Sequence, residues 1–344
     1  MERHFGKAGY AGRMVGERRS SRPKAAAAER ELIAGVRRRA DKLLMGRRKS
    51  GILTLGIGDD CAVLRPRRGK ELVVTTDLSL ESVHFRRDWH PPQSVGHRCL
   101  ARGLSDLAAM GARPEAAFLS LALPSELTGA WIEGFFDGFM ALAKRYRVPL
   151  AGGDMAKSPT VVADIVLLGS VARGKALLRS GARVGDLIYV TGALGGSAAE
   201  LSALERKPGD FVGKNKLGHP HLYPEPRLAA GRKLTRLATA GIDLSDGLST
   251  DLAHLCEESG LAAEIDADAL PVDARATLEQ ALHGGEDYEL LFTASPKTAV
   301  PGQLGGVLIS AIGRMKKRSK GPQVQLDRGG KRIALAASGW EHFR

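Results

Sequence analysis

Cysteine, aromatic residues and long apolar runs are all scarce in this 344-residue chain. Its three cysteines, Cys61, Cys99 and Cys256, stand far apart, with no C-x-x-C pair and no companion histidine cluster. That excludes a disulfide framework and a cysteine-based zinc site. No apolar run approaches the ~18 residues that a transmembrane helix needs. The N-terminus is basic but has no apolar segment behind it of the kind a secretion signal requires. These absences predict a cytoplasmic protein that does not enter a membrane. Also lacking is any evident Ser-His or His-Asp constellation for nucleophilic catalysis.

What is present is ordinary for a globular chain: 43% hydrophobic residues, 26% charged residues and 42 glycines, which reads as α/β or α+β with many tight turns. At roughly 150 residues per domain, the length predicts about two domains. The net charge of +13 is unevenly spread. Residues 1–50 hold 15 Lys+Arg against 5 Asp+Glu, and the remaining 294 residues hold 36 against 33. The basic excess is therefore a tail, and residues 1–28, rich in Gly, Arg, Ser and Ala, read as a disordered basic extension. Any contact with nucleic acid or another polyanion is expected to belong to that tail.

The chain is organised around Gly56 to Leu64, G-I-G-D-D-C-A-V-L, where a glycine-broken loop delivers Asp59 and Asp60 ahead of Val63 and Leu64. A lone Gly-Asp-Asp is as readily a solvated turn. Repetition argues otherwise, because Asp77, Asp106, Asp154, Asp243 and Asp246 also sit where an apolar segment meets a Gly, Ser or Thr cluster. Carboxylates gathered at segment ends suit hard cations such as Mg²⁺, which keeps several positions for water and substrate phosphates.

Periodicity predicts the elements that carry them. An amphipathic helix starts at Glu29, and Glu71 to Leu80 reads as a strand with Thr75, Thr76 and Asp77 near its end. Pro91 and Pro92 open a helix that brings Asp106 into its last turn, where the macrodipole disfavours a carboxylate unless a cation offsets it. A buried strand (Ala116 to Leu123), a helix (Leu127 to Arg147), a glycine turn around Asp154 and a strand (Val161 to Leu168) follow. The stretch from Gly174 to Asp186 reads as a boundary between domains spanning 29–173 and 174–344.

Two glycine-rich stretches are poor phosphate loops. G-S-V-A-R-G-K ends at Ala176, where a P-loop needs Ser or Thr, and T-G-A-L-G-G-S lacks dinucleotide spacing. In the second half, A-G-I-D-L-S-D-G-L places Asp243, Ser245 and Asp246 at a strand-to-helix junction, where Ser245 or Asp246 could alternatively be an N-cap. G-G-E-D-Y-E-L-L-F puts Glu286 and Asp287 at the exit of a glycine turn, and the basic run Arg314 to Lys320 reads as a solvated hairpin.

In order, G-I-G-D-D-C-A-V-L, T-T-D-L followed by V-H-F, L-S-D-L-A-A-M-G-A, A-G-G-D, D-L-S-D-G-L, G-G-E-D-Y-E-L-L-F and G-W-E-H-F make the chain from Glu29 to Phe343 resemble the thiamine-monophosphate kinases. These belong to the superfamily of aminoimidazole-ribonucleotide synthetases, selenophosphate synthetases and hydrogenase maturation proteins. The resemblance implies an α/β (α+β) protein of two domains: an N-terminal mixed sheet pairing across a homodimer, a C-terminal α/β domain, and a cleft between them. It implies transfer of the γ-phosphate of ATP to thiamine monophosphate with several Mg²⁺ ions.

Residue by residue, the resemblance implies that Asp60, Thr75, Thr76, Asp77, Asp106, Asp154, Asp243 and Asp246 hold metal, with Asp60, Asp77, Asp106 and Asp243 central to catalysis. Tyr146, Gly153, Asp154, Arg179 and Ser245 would touch ATP. His84, Glu286 and Trp340 would touch thiamine monophosphate, although a terminal aromatic such as Trp340 could equally pin the chain end. Departures are local: Arg102 and Gly103 stand where Val-Asn is expected, Ser82 where glycine is, and Met155 where Thr is usual. A phosphate acceptor with a second pKa near ~6 is already largely ionised at neutral pH, so no general base is expected. Within the superfamily, a selenophosphate synthetase calls for an N-terminal cysteine and the hydrogenase maturation protein for a C-terminal one; this chain has none before Cys61 or after Cys256. A non-catalytic nucleotide- or RNA-binding relative would have lost carboxylates that are all present here.

Overall fold

The computed structural model describes residues 29–44, 52–57, 61–207 and 218–340. The basic tail, the Asp59–Asp60 pair and the last four residues lie outside these.

Leu32, Val36 and Ala40 recur at helical spacing and line the inner face of α1 (Glu29–Leu44). A short ribbon, β1 (Leu53–Leu55) with β2 (Val63–Leu64), leads into β3 (Lys70–Leu80), whose Val and Thr content suits an extended chain. Pro91 and Pro92 then open α2 (Pro92–Ala109), as a proline at the first helical position does without losing a hydrogen bond. β4 (Arg113–Leu123), α3 (Ala130–Tyr146), β5 (Leu150–Lys157) and β6 (Val162–Ala172) complete this half. Its four strands run in the order β3-β6-β4-β5, antiparallel except for the β4–β5 pair. On one side α2 packs against the sheet and α3 against α2, burying Phe135 and Phe139. On the other side Leu72, Val74 and Leu78 stay exposed, Val74 at 61%.

The second half contains β7 (Leu187–Thr191), α4 (Gly196–Arg206), α5 (Leu228–Leu234), β8 (Ala240–Asp243), α6 (Leu248–Glu258), β9 (Leu261–Asp266) and α7 (Leu278–His283). It ends with β10 (Leu290–Ala294), β11 (Gln303–Leu304), β12 (Val307–Lys317), β13 (Val324–Arg328) and β14 (Lys331–Ala334). They form a sheet of order β14-β13-β9-β12-β7-β10-β8 with β11 beside β12, and only β13–β9 is parallel. Leu248, Leu252 and Leu255 of α6 are buried in its core.

The halves meet along α2, against which α5 and β8 pack. The approach is backbone to backbone: a Cβ on Gly231 of α5 would lie 1.9 Å from the carbonyl oxygen of Ala108. Any side chain there would force the halves apart.

Three sequence expectations need correction. The A-G-G-D stretch is not a turn but part of β5, which hydrogen-bonds along β4 from Leu150 to Lys157; a Cβ on Gly153 would sit 1.9 Å from the Leu119 carbonyl oxygen. Much of the basic run is not a hairpin: Arg314 to Lys317 extend β12 against β9, with Met315 wholly buried. Local charge hid this, since alternate residues of a strand face opposite ways. Finally, β6 continues four residues beyond Leu168, so the P-loop-like Gly169 to Ala172 is strand.

Ser82, where glycine is expected, keeps the glycine conformation, with φ at +70° and its N–H donating to the Phe85 carbonyl at 2.7 Å. A side chain in the left-handed region costs ~1 kcal/mol or more. Ser82→Gly should therefore raise Tm by ~1 to 3 °C. A calorimetric scan showing an equal or lower Tm would mean that the serine is compensated.

Candidate functional site

Strand alternation places Thr75 and Asp77 on the face of β3 turned toward α2, whereas Thr76 is exposed on the opposite face. The last turn of α2 brings Asp106 to Thr75, whose hydroxyl donates to its carboxylate. The preceding residue, Ser105, donates to Asp243 Oδ2 at 2.7 Å, tying the end of β8 to the same helical turn. A strand, a helix end and a strand from the other half thus converge on one point. They border a cleft of about 470 Å³ that Asp77, Asp106, Asp243, Ser245 and Asp246 line together.

These carboxylates oppose one another. Burial, then repulsion from Asp243, pushes Asp106 up to about 7, despite the Thr75 hydrogen bond and the pull of Arg179 and Arg102. Burial likewise raises Asp243, against the Ser105 hydrogen bond and Arg179. Asp77 is pushed up to about 6 by burial even though Arg102 pulls it down. Arg102 grips Asp77 with both arms of its fork, Nε to Oδ2 at 3.0 Å and Nη2 to Oδ1 at 2.7 Å. Its Nη1 is buried without a hydrogen-bond partner among the described residues. Burial works against the charge of Arg102, but Tyr288, Asp77 and Glu286 around it outweigh burial and hold it protonated.

One turn earlier on α2, Arg98 is almost wholly buried. Its Nη2 donates to Glu286 Oε1 at 2.7 Å, to Glu286 Oε2 at 2.8 Å and to the His84 carbonyl at 3.1 Å. Its Nη1 donates to the His221 carbonyl. Burial alone would raise Glu286, yet Arg98, His221 and Arg102 hold its carboxyl well below the usual range. Glu286 itself adopts φ +65° and Tyr288 φ +51°, so this pair is met by a strained loop. His221 is driven down by burial and then by Arg98, and it lies 3.0 Å from His90 between Nε2 atoms. Burial, then Arg98, lowers His90 to about 4.

At the β8–α6 junction neither Ser245 nor Asp246 is the N-cap. That position is Gly247, with φ +106° and no side-chain cap, and Asp251 reaches back to accept from the Asp246 and Gly247 N–H groups at 3.1 Å. This leaves Ser245 and Asp246 facing the cleft. Side-chain atoms of Asp246, Asp251 and His254 lie within 4.8 Å of one another. The backbone N–H of Trp340 donates to the Asp246 carbonyl at 3.1 Å, so this residue is docked through its main chain while the half-exposed indole lines the cleft.

The expected residues thus divide. Asp77, His84, Asp106, Asp243, Ser245, Asp246, Glu286 and Trp340 share one cleft; Thr75 bonds to Asp106, and the charge of Arg179 reaches Asp106 and Asp243. Thr76 points away from it. Gly153 and Asp154 lie on β5, three strands from β3 and hence ~14 Å across the sheet. Tyr146 closes α3 and does not line that cleft; its hydroxyl donates to Glu225 and lies 2.9 Å from the Pro226 carbonyl oxygen. Asp60 lies outside the described residues.

Sequence reasoning missed Arg98, His221, Asp251 and Tyr288, and it noted Arg102 only as a departure without foreseeing its grip on Asp77. A signal existed for the arginines: Arg98, Arg102, Ser105 and Asp106 recur at three- and four-residue steps along a helix most of whose residues are buried.

Comparison with known proteins agrees with this architecture. The AIR synthase related protein N-terminal domain matches residues 58–171, and the C-terminal domain of the same family matches residues 183–333. The thiamine-monophosphate kinase of Salmonella typhimurium is 40% identical over 303 residues, covering 84% of this chain and 91% of that protein. The crystal structure of thiamine-monophosphate kinase from Stenotrophomonas maltophilia K279a superposes with a TM-score of 0.74 at 35% identity, covering 90% of this chain and 98% of that one. A structure described as AaThiL complexed with AMPPCP and TMP superposes with a TM-score of 0.72 at 32% identity, covering 88% and 96%. With both halves matched and its similarity extending over nearly the full length of these proteins, the chain belongs to the thiamine-monophosphate kinase family of AIR synthase related proteins.

Proposed function

We propose that this protein transfers the γ-phosphate of ATP to thiamine monophosphate, giving thiamine diphosphate and ADP. The observation that carries the proposal is the cleft itself, in which buried carboxylates from both halves converge in a chain that shares 40% identity with a thiamine-monophosphate kinase. Uncompensated carboxylates at one point are a poor resting arrangement and a good one for hard cations. The donor set of Asp106, Asp243 and Asp246, with the Ser245 hydroxyl beside them, consists of oxygens alone and fits Mg²⁺. When bound, Mg²⁺ supplies the charge neutralisation that lets two polyanions approach.

The remaining work falls to the protein's own groups. The acceptor phosphate is already ionised at neutral pH, so no side chain has to remove a proton. What the cleft contributes is position, which accounts for much of phosphoryl-transfer catalysis. Arg98 and Glu286 fix the wall formed by His84, and the Trp340 indole presents an aromatic face to the cationic thiazolium of thiamine. Asp154, Gly153, Thr76 and Tyr146 lie away from this point, so the ATP-binding and metal roles implied for them call for a surface that one chain does not complete. A homodimer answers that need, seated on the open sheet face with Leu72, Val74 and Leu78. Three free cysteines, of which Cys99 and Cys256 are buried, suit a cytoplasmic enzyme.

Three measurements test this reading. Incubated with ATP, Mg²⁺ and thiamine monophosphate, the protein should form thiamine diphosphate, and absence of product would refute the assignment. In that assay Asp106→Asn should lower kcat by ~10² or more, and Trp340→Ala should raise KM for thiamine monophosphate ~2- to 30-fold with KM for ATP unchanged.

Asp106 titrates near 7 when folded against an ordinary 3.8. Below 3.8 both states are protonated and nothing is lost; as pH rises toward 7 the folded state must give up a proton that the unfolded chain has already lost, so stability falls. The metal-free Tm should therefore drop between pH 5 and 8, by the linkage expected of a raised carboxyl. Mg²⁺ should restore more of it at pH 8 than at pH 5, and Asp106→Asn should blunt both effects. Equal Mg²⁺ shifts at the two pH values would count against a metal at Asp106.

Sedimentation at micromolar concentration should give a dimer that Val74→Asp converts to a monomer. A monomeric, fully active wild type would end the dimer proposal.

A further inference from the structure

The cleft contains one carboxylate that does not behave like the rest. Asp106 and Asp243 are met by hydroxyl groups, which leave carboxylate oxygens for a cation. Asp77 is met by a guanidinium that takes both of its oxygens, at 3.0 and 2.7 Å, in the parallel fork that Arg forms with carboxylates. Both side chains are largely buried, at 13% and 20% exposure, so bulk solvent and salt screen the pair little. We propose that Arg102 holds the place of a divalent cation at Asp77, so that among the described carboxylates of this cleft Asp106, Asp243 and Asp246, and not Asp77, are left to bind metal.

Two features of the chain support it. Arg102 lies one helical turn before Asp106, so the same helix that offers a metal-binding carboxylate also delivers the fixed positive charge beside it. Its neighbour Gly103 faces β6, where a Cβ would lie 2.8 Å from Leu167 Cδ1. The missing side chain leaves room for the Leu167 side chain between α2 and the sheet. Arg102 and Gly103 are the adjacent departures from the expected Val-Asn. A Mg²⁺ ion demands near-octahedral oxygen ligands and gives up water reluctantly. At Asp77 it would have to displace a charged fork or sit against it.

The inference rests on the metal reading of Asp106 and Asp243, and the test separates the two. Bound Mn²⁺ is counted by electron spin resonance on the nucleotide-free protein, for wild type, Arg102→Val, the uncharged double variant Asp77→Asn/Arg102→Val, and Asp106→Asn. Arg102→Val should bind one more Mn²⁺ per chain than wild type, and the double variant should return to the wild-type number. An unchanged count in folded Arg102→Val overturns the inference, as does a double variant that binds fewer ions than wild type, since Asp77 would then already be a ligand beside Arg102. Should Arg102→Val fail to fold with Asp77 unpaired, the double variant decides alone: the wild-type count supports the inference and a lower count overturns it. A wild-type count retained by Asp106→Asn, or no Mn²⁺ on any protein, overturns the metal reading and the inference with it.

Discussion

The ion pair between the buried Arg98 and the partly buried Glu286 is the contact on which the geometry of the cleft depends. Arg98 belongs to α2, the spine of the first half, and Glu286 to a glycine-led loop of the second. The same guanidinium holds the carbonyl groups of His84 and His221, so one side chain fixes four segments of chain. The Arg98 charge could not be left alone at this depth, because an unpaired buried charge costs ~3 to 5 kcal/mol. The pair therefore specifies the meeting of the halves more than it strengthens it. Glu286 and Tyr288 take left-handed conformations in the loop that delivers this pair.

Around that fixed wall the electrostatics run the other way. Asp106 and Asp243 repel each other across the join, and hydroxyl groups from Thr75 and Ser105 orient them without cancelling their charge. Attraction locates the cleft and repulsion equips it. A protein optimised only for stability would not place these groups together, and strain of this kind gathers where ligands bind.

Much of this was legible in the sequence, for reasons that can be stated. Aspartates at the ends of apolar segments announce themselves, since a segment boundary fixes where a residue lies along an element; hence Asp77, Asp106, Asp243 and Asp246 do meet. What the sequence did not reveal is which face a residue takes and how far apart two strands lie in a sheet. Thr76 differs from Thr75 by one position and points the opposite way, and Asp154 is carried across the sheet by strand order, which no local pattern records. Arg98 escaped notice, and Arg102 was noted only as a departure from the expected pattern, because Arg on a helix is usually solvated; their four-residue spacing along a largely buried helix set them apart. Arg314 to Lys317 misled for the converse reason, as their charges concealed the buried Met315 between them.

The close seating of Gly231 on Ala108 has a consequence for how molecules enter and leave. Two bodies joined by backbone contact, and clamped by Arg98 on the far side, have no slack about which to swing. Traffic through the cleft is then left to its short rims, residues 81–85 and 285–288, rather than to a jaw-like closure of the whole molecule. Such an architecture presents its ligands with a mould already set, so that little ordering of the two halves remains to be done on arrival.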